Sequence, residues 1–462
     1  MSAGTPLPVR PEPGVAVTPG RPRSYRVETW GCQMNVLDGE RMAGQLEGLG
    51  LRRAGEGEAA DVLIFNTCDV REKAEAKVYS ALGVVAERKR DNPDLVVGVT
   101  GCLAQVSGDA ILERTPWVDF VLGTGNVEKV GEIVRLAWEE RRQTKALDLP
   151  EDSPVYQFRQ ISRGSRFQAY VTVIEGCDQY CTFCIVPFTR GRERCRRSAE
   201  VLEEIRWLVA RGYTEVTLLG QTVNAYRDPD DGSGLGELLT RASAVEGLAR
   251  LRFLTSHPLF VDDALISALA SGGPIAPYLH LPAQSGSDRV LYRMKRRYDR
   301  QGYLDTLARV RQDVPKVAVS SDFIVGFPGE TEEDFEDTLA LVRQATFANV
   351  FAFVYSPRRG TASARWGREK AVPAPVAAER LARLLALQEE LQARGNGELV
   401  GRIFEVLLEG QDRQGQGRGR TPCNRIVHIP GAAELAPGTY ASVRITRGLP
   451  NSLMGELFSA VC

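Results

Sequence analysis

Residues 173–187 read VIEGCDQYCTFCIVP, an apolar run broken by Cys177, Cys181 and Cys184, which are spaced by three and then two residues. The residues leading into it, FQAYVTVIE (167–175), are rich in β-branched and aromatic side chains and predict a strand that ends in the cysteine loop. Five more strands of the same kind follow: EVTLLG (215–220), LRFLTS (251–256), APYLHL (276–281), KVAVSSDFIVG (316–326) and NVFAFVYS (349–356), each separated by a helix-length segment. Six β/α units are too few for a closed eight-stranded barrel and enough for an open, curved one. The loops at the C-terminal strand ends carry the polar residues Gln221, Asn224, His280, Gln284, Ser285 and Asp322, so that rim is the expected active face. In GETEEDF (329–335), Thr331 and Asp334 have the spacing of a helix N-cap and need no catalytic explanation.

Upstream, SYRVETW (24–30) leads to Cys32, DVLIFNT (61–67) to Cys68 and LVVGVTG (95–101) to Cys102, each followed by a helical pattern. Alternating strands and helices predict a parallel sheet, in which every strand's C-terminal end lies on one edge. Three cysteines separated by about 35 residues would then meet on that edge. The plainer reading is three unrelated core thiols, but a core thiol has no reason to fall at successive strand ends.

The chain has 462 residues, room for roughly three domains. Residues 1–23 hold six prolines and no apolar periodicity, which predicts a disordered tail. An N-terminal α/β domain is expected over 24–140, the open barrel over 163–395, and a small all-β barrel over 397–462. The last rests on the short strands GRIFEVLLEG (401–410), RIVHIPG (425–431) and TYASVRITRG (439–448). Nine cysteines, no apolar leader and no long apolar run argue against secretion, a membrane span and a disulfide framework, and for reduced thiols in the cytoplasm. A net charge of −1 gives no global attraction to polyanions, so any nucleic-acid affinity must be local. Two local runs qualify. TRGRERCRR (189–197) places Arg190, Arg192 and Arg194 near Cys184, and the glycine-rich loop of the last domain carries Arg413, Arg418, Arg420 and Arg425. A solvated face is the ordinary alternative for each.

Zinc is the first candidate for the thiols of 177–184, but no second Cys-x2-Cys follows, His257 and His428 have no ligand-like spacing to the loop, and His280 sits on a different strand. An iron–sulfur cluster held by three thiolates, with one iron open to a non-protein ligand, fits better.

Cys-x3-Cys-x2-Cys after the first strand of a partial barrel resembles the radical S-adenosylmethionine superfamily. The resemblance implies that the cofactor's methionine group fills the open iron position and that one electron from the cluster yields a 5′-deoxyadenosyl radical. Residues 24–462 further resemble the methylthiotransferases, through TWGCQMNVLDGER (29–41), FNTCDVREKAEAK (65–77), TGCLAQ (100–105), GCDQYCTFCIVPFTRGRER (176–194), HLPAQSGSDRVL (280–291), SDFIVGFPGETEEDF (321–335) and YSPRRGT (355–361). That family joins an N-terminal three-cysteine domain, a radical barrel and a C-terminal TRAM barrel. By resemblance, Cys32, Cys68 and Cys102 hold a second 4Fe–4S cluster, which carries the sulfur to be methylated and inserted at the expense of two S-adenosylmethionine molecules.

GCQMN (31–35) is similar to the members that add methylthio at carbon 2 of N6-isopentenyladenosine beside the anticodon of tRNA. Members acting on threonylcarbamoyl-adenosine or on a ribosomal-protein aspartate differ after that Gly-Cys and remain the alternative. The resemblance also implies an electron-donor protein of flavodoxin or ferredoxin type, a sulfur donor or cluster-repair protein, and a monomer. Gln221, Asn224, Gln284 and Asp322 are the residues expected to hold S-adenosylmethionine. The arginines of the two runs are those expected to meet RNA. The chain departs from the family pattern at Trp30, Thr222, Ala283 and Cys195. Cys195, Cys423 and Cys462 stand alone and are expected to be incidental thiols.

Overall fold

The computed structural model describes residues 22–68, 72–152 and 156–460. Residues 1–21 of the expected tail and Cys462 lie outside them. The first unit runs β1 (Ser24–Thr29), α1 (Gln33–Gly48), β2 (Arg52–Arg53), β3 (Val62–Thr67), α2 (Glu72–Asp91), β4 (Val96–Gly101), α3 (Cys102–Arg114), β5 (Phe120–Leu122), α4 (Val130–Glu139) and β6 (Thr144–Ala146). Its strands form one parallel sheet in the order β2-β1-β3-β4-β5-β6. β3 and β4 are buried along their whole length. Their apolar runs, without alternation, are what a strand covered on both faces requires.

The second unit holds the six expected strands: β7 (Gln168–Thr172), then, after a short antiparallel pair of β8 (Ile174–Glu175) and β9 (Arg194–Cys195), β10 (Glu215–Leu219), β11 (Arg250–Phe253), β12 (Tyr278–His280), β13 (Ala318–Val325) and β14 (Asn349–Val354). They form two parallel triplets, β11-β10-β7 and β12-β13-β14. The seam between the triplets is bridged by backbone hydrogen bonds, Leu251 N to Pro274 O at 2.7 Å and Ser256 N to His280 O at 3.1 Å. Alternation sorts the side chains. Ala169, Val171, Val216, Leu218, Leu251, Phe253, Leu279 and Val319 pack outward under the helices as the main core. Tyr170, Thr172, Thr217, Leu219, Arg252, His280, Ser320 and Asp322 take the opposite, concave face.

The third unit is a closed barrel, β15 (Ile403–Gln411), β16 (Gly417–Arg420), β17 (Ile426–Ile429), β18 (Tyr440–Gly448) and β19 (Leu453–Ala460), reached through the long helix Ala374–Gly397. Asn396 at the end of that helix donates to Leu449 O at 2.6 Å.

The concave face is where all three units meet. From the first unit, Met34 and Leu37 of α1 pack on Leu219, with Tyr170 and Leu254 beside them. The third unit seals the opposite end, where the strands begin. Arg252 donates to Pro422 O at 2.8 Å and Thr421 O at 2.9 Å, Arg250 donates to Arg420 O at 3.1 Å, and Cys423 packs on Tyr278 and Ala318. Hydrogen bonds from charged donors contribute about 1.5–3 kcal/mol each, so this seam is firm. What stays open is the rim at the strand C-termini.

Candidate active site

The loop that follows β8 carries Cys177, Cys181 and Cys184. Gly176, with φ +79°, makes the turn into it; a Cβ there would fall 1.9 Å from Arg192 O. The pairing of β8 with β9 then closes the loop at its base, and Gln221 Oε1 accepts from Gly176 N at 2.6 Å. Cys177 Sγ lies 3.3 Å from Thr222 Oγ1. Arg296, buried, donates to Cys181 Sγ at 3.3 Å and to Pro282 O at 3.1 Å. Burial first, and then the neighbouring Cys181 and Cys177, push the Cys184 thiol up to about 12.

The second trio stands on the first unit's sheet edge. Thr67 and Gly101 are register partners, so Cys68 and Cys102, each the next residue, leave adjacent strands together. Cys32 is the exposed N-cap of α1. Gly31, with φ +136°, brings it close: a Cβ at that position would sit 2.7 Å from Cys68 Cβ. Burial raises the Cys102 thiol, Arg190 opposes that, and Cys32 adds to it.

In both loops, then, thiols stand within electrostatic reach of one another. Yet among the described residues no three His, Cys, Asp or Glu side chains gather tightly enough for one metal ion. Thiolates around a single zinc stand about 3.8 Å apart, from a Zn–S bond of about 2.3 Å in a tetrahedron. The histidines stay out: His257 is buried and pushed down to about 2, first by burial and then by Arg296 and Arg297, His280 bonds Ser320, and His428 bonds Asp412.

Between the trios lies a buried ionic network that sequence reasoning missed. Arg190, six residues after Cys184, reaches Asp38 of α1 at 2.6 Å, and Asn35 Oδ1 stands 3.5 Å from both Arg190 Nη2 and Cys32 Sγ. Glu175, two residues before Cys177, pairs with Arg194 at 2.8 Å and Arg41 at 3.7 Å, and Tyr156 donates to it.

This corrects the arginine run. Arg190 and Arg194 are 6% and 8% exposed and committed to Asp38 and Glu175, so they form an internal joint and present no surface to RNA. Arg192 alone of the three is exposed, paired with Asp178 at 3.3 Å. In the last unit Arg420 is held by Glu409 and Asn424, and Arg425 by Asn396. Both turn toward the protein, while Arg418 is half-buried in β16. Cys423, expected to be incidental, is part of the seal.

The expected cofactor residues divide as well. Asn224 is buried and spends both ends of its amide on His257, 2.9 Å to its O and 2.7 Å from its N, so it ties two loops and is withdrawn as a cofactor contact. The carbonyl end of Gln221 holds the cysteine loop. Gln284 and Asp322 remain at the rim, half-buried, with Asp322 3.4 Å from His280 Nε2.

A trio of thiols at the strand C-termini of an open parallel barrel, with a second trio on the sheet edge of the adjoining unit, suits a redox-cluster enzyme. Residues 171–342 match the Radical SAM superfamily, residues 24–123 match the Uncharacterized protein family UPF0004, and residues 397–458 match the TRAM domain. Among solved structures, the chain is similar to a radical S-adenosylmethionine methyltransferase, TsrM, from Kitasatospora setae with cobalamin and a 4Fe–4S cluster bound. The TM-score is 0.54 at 15% identity, over 74% of this chain and 77% of that one. The likeness establishes the fold.

At the level of sequence, the chain is 45% identical over 455 residues to a tRNA-2-methylthio-N(6)-dimethylallyladenosine synthase from Acidothermus cellulolyticus, covering 96% of this chain and 90% of that protein. It is also 45% identical over 434 residues to the enzyme of the same name from Geobacter metallireducens, covering 93% and 97%. The chain belongs to the tRNA-2-methylthio-N(6)-dimethylallyladenosine synthase family. No helix among the described residues is long and apolar enough to cross a membrane.

Proposed function

We propose that this chain adds a methylthio group to carbon 2 of N6-dimethylallyladenosine beside the anticodon of tRNA. In this reading Cys177, Cys181 and Cys184 hold one 4Fe–4S cluster and Cys32, Cys68 and Cys102 hold another. With S-adenosylmethionine bound and one electron supplied, such clusters provide the radical and the sulfur that protein side chains lack. The chain's own residues confine that chemistry. Gln221 and Arg296 fix the cysteine loop, α1 closes the concave face, and Gln284 and Asp322 line the rim where the cofactor's polar groups would lie.

The observation that carries the reading is the packing of Met34 and Leu37 onto Leu219, with Tyr170 and Leu254 alongside. It brings Cys32, at the head of α1, to the rim that bears Cys177. Two cysteine trios on adjoining units suit a reaction in which one substrate atom must meet both a radical and a sulfur. The target adenine must leave its stack to enter, as in other enzymes that act on a base. A flavodoxin- or ferredoxin-type donor, a sulfur donor or cluster-repair protein, and a monomer in the cytoplasm complete the proposal. Mass spectrometry of tRNA nucleosides from a deletion strain tests it. Loss of the methylthio group from dimethylallyladenosine is the expected result; loss from threonylcarbamoyl-adenosine instead would overturn it.

A further inference from the structure

Arg190 and Arg194 of one arginine run and Arg420 and Arg425 of the other are spent on protein partners, which leaves only Arg192, Arg197 and Arg413 of the two runs exposed and calls for further cationic surface beside the site. Just outside the cysteine loop is a cavity of about 460 Å³ lined by Thr182, Tyr292, Arg293, Lys295, Trp366 and Lys370. Its wall is the cluster loop itself: Thr182, the residue after Cys181, donates from its backbone N to Met294 O at 3.1 Å and from its hydroxyl to Arg293 O at 2.9 Å. Lys295 and Arg297 adopt left-handed backbone, φ +62° and +59°, and are exposed, while Arg296 between them turns in to Cys181. Tyr292 is 86% exposed. Arg293 lies over the Trp366 ring at 5.1 Å. Among the described residues no carboxylate pairs with Arg293, Lys295 or Lys370.

We propose that this cavity holds the unpaired RNA strand next to the reacting base, with Tyr292 and Trp366 offering stacking faces and Arg293, Lys295 and Lys370 meeting phosphates. The inference rests on the tRNA reading above. Exposed aromatic faces interleaved with unpaired cations are the arrangement that binds single-stranded nucleic acid. The volume falls within the roughly 300–1,000 Å³ of ligand pockets. An acidic electron-transfer protein would also be drawn to the cations, but it has no use for an 86%-exposed tyrosine beside them.

The test is fluorescence anisotropy of the full chain, clusters reconstituted, with an anticodon stem-loop RNA carrying dimethylallyladenosine. Lys295→Gln and Lys370→Gln should each weaken binding about fivefold at 0.1 M salt, since each phosphate contact on a single strand adds about 0.7 to the salt slope. Tyr292→Ala should weaken it about 5- to 150-fold with the slope unchanged, and the exposed Lys316→Gln should match the wild type. If the wild-type chain binds and all three cavity variants bind equally well, the proposal alone falls. It also falls if the variants bind RNA normally but accept electrons more slowly from an acidic donor protein. A wild-type chain that ignores the stem-loop overturns the tRNA reading and this proposal together.

Discussion

Arg190→Met is the sharpest structural perturbation. Arg190 and Asp38 are 6% and 2% exposed in their side chains and stand 2.6 Å apart across the junction of the first two units. Removing one partner of a buried pair costs about 3–5 kcal/mol, chiefly because the other charge is left without compensation. Asp38 keeps a second partner, Arg41 at 3.2 Å, so the low end, about 3 kcal/mol, applies. At about 1.36 kcal/mol per decade, opening of the junction becomes about 150-fold more frequent. Amide hydrogen exchange read by mass spectrometry should therefore speed up by about that factor in α1 and in the segment 186–197, with β18 unchanged. Adding Asp38→Leu removes the orphan charge and should recover at least half the loss, because Arg41 retains Glu128 at 2.6 Å. Exchange in α1 within fivefold of wild type, or a double variant no better than Arg190→Met, would refute the reasoning.

Gly176→Ala should abolish iron loading of the cysteine loop, because its Cβ would strike Arg192 O and part β8 from β9; iron analysis falling to about four per chain from about eight is the expected readout. Arg296→Met should cut S-adenosylmethionine cleavage at least tenfold while leaving about four irons on the first unit, since Cys181 and Pro282 O lose their donor; 5′-deoxyadenosine quantified by chromatography checks it. Burial alone would raise the Asp334 carboxyl, but hydrogen bonds from Arg289, Ser287 and Thr331 outweigh it and hold the group at about 2. A depressed carboxyl stabilises fully above its free value of about 3.9 and loses that stabilisation as pH falls through about 2. Asp334→Asn should therefore lower the urea midpoint at neutral pH and make no difference in strong acid.

Much of this architecture was legible because it follows from local periodicity. Cys32, Cys68 and Cys102 each follow a strand, and parallel topology alone brings them to one edge. All six strands of the second unit appear where β-branched runs place them, and the Thr331–Asp334 cap forms as its spacing predicts. The arginine run misled because its fate is set by a long-range register. Arg194 turns inward onto Glu175 across β8 and β9, and Arg196 onto Glu204 and Thr172 O, and nothing within TRGRERCRR encodes those partners. Asn224, Arg296 and the seal made by Thr421 and Cys423 were hidden for the same reason, since each depends on a contact more than 30 residues away. Position at a strand end predicted proximity to the rim and could not predict which amide would be consumed by a neighbouring loop.

The central claim is a division of labour between the two thiol trios. The direct measurement compares Cys68→Ala and Cys181→Ala, each reconstituted anaerobically and given reductant, S-adenosylmethionine and a dimethylallyladenosine stem-loop, with 5′-deoxyadenosine and methylthio product quantified together. Cys68→Ala should still form 5′-deoxyadenosine and no methylthio product, and Cys181→Ala should form neither. Methylthio product from the Cys68 variant, or 5′-deoxyadenosine from the Cys181 variant, would contradict the account.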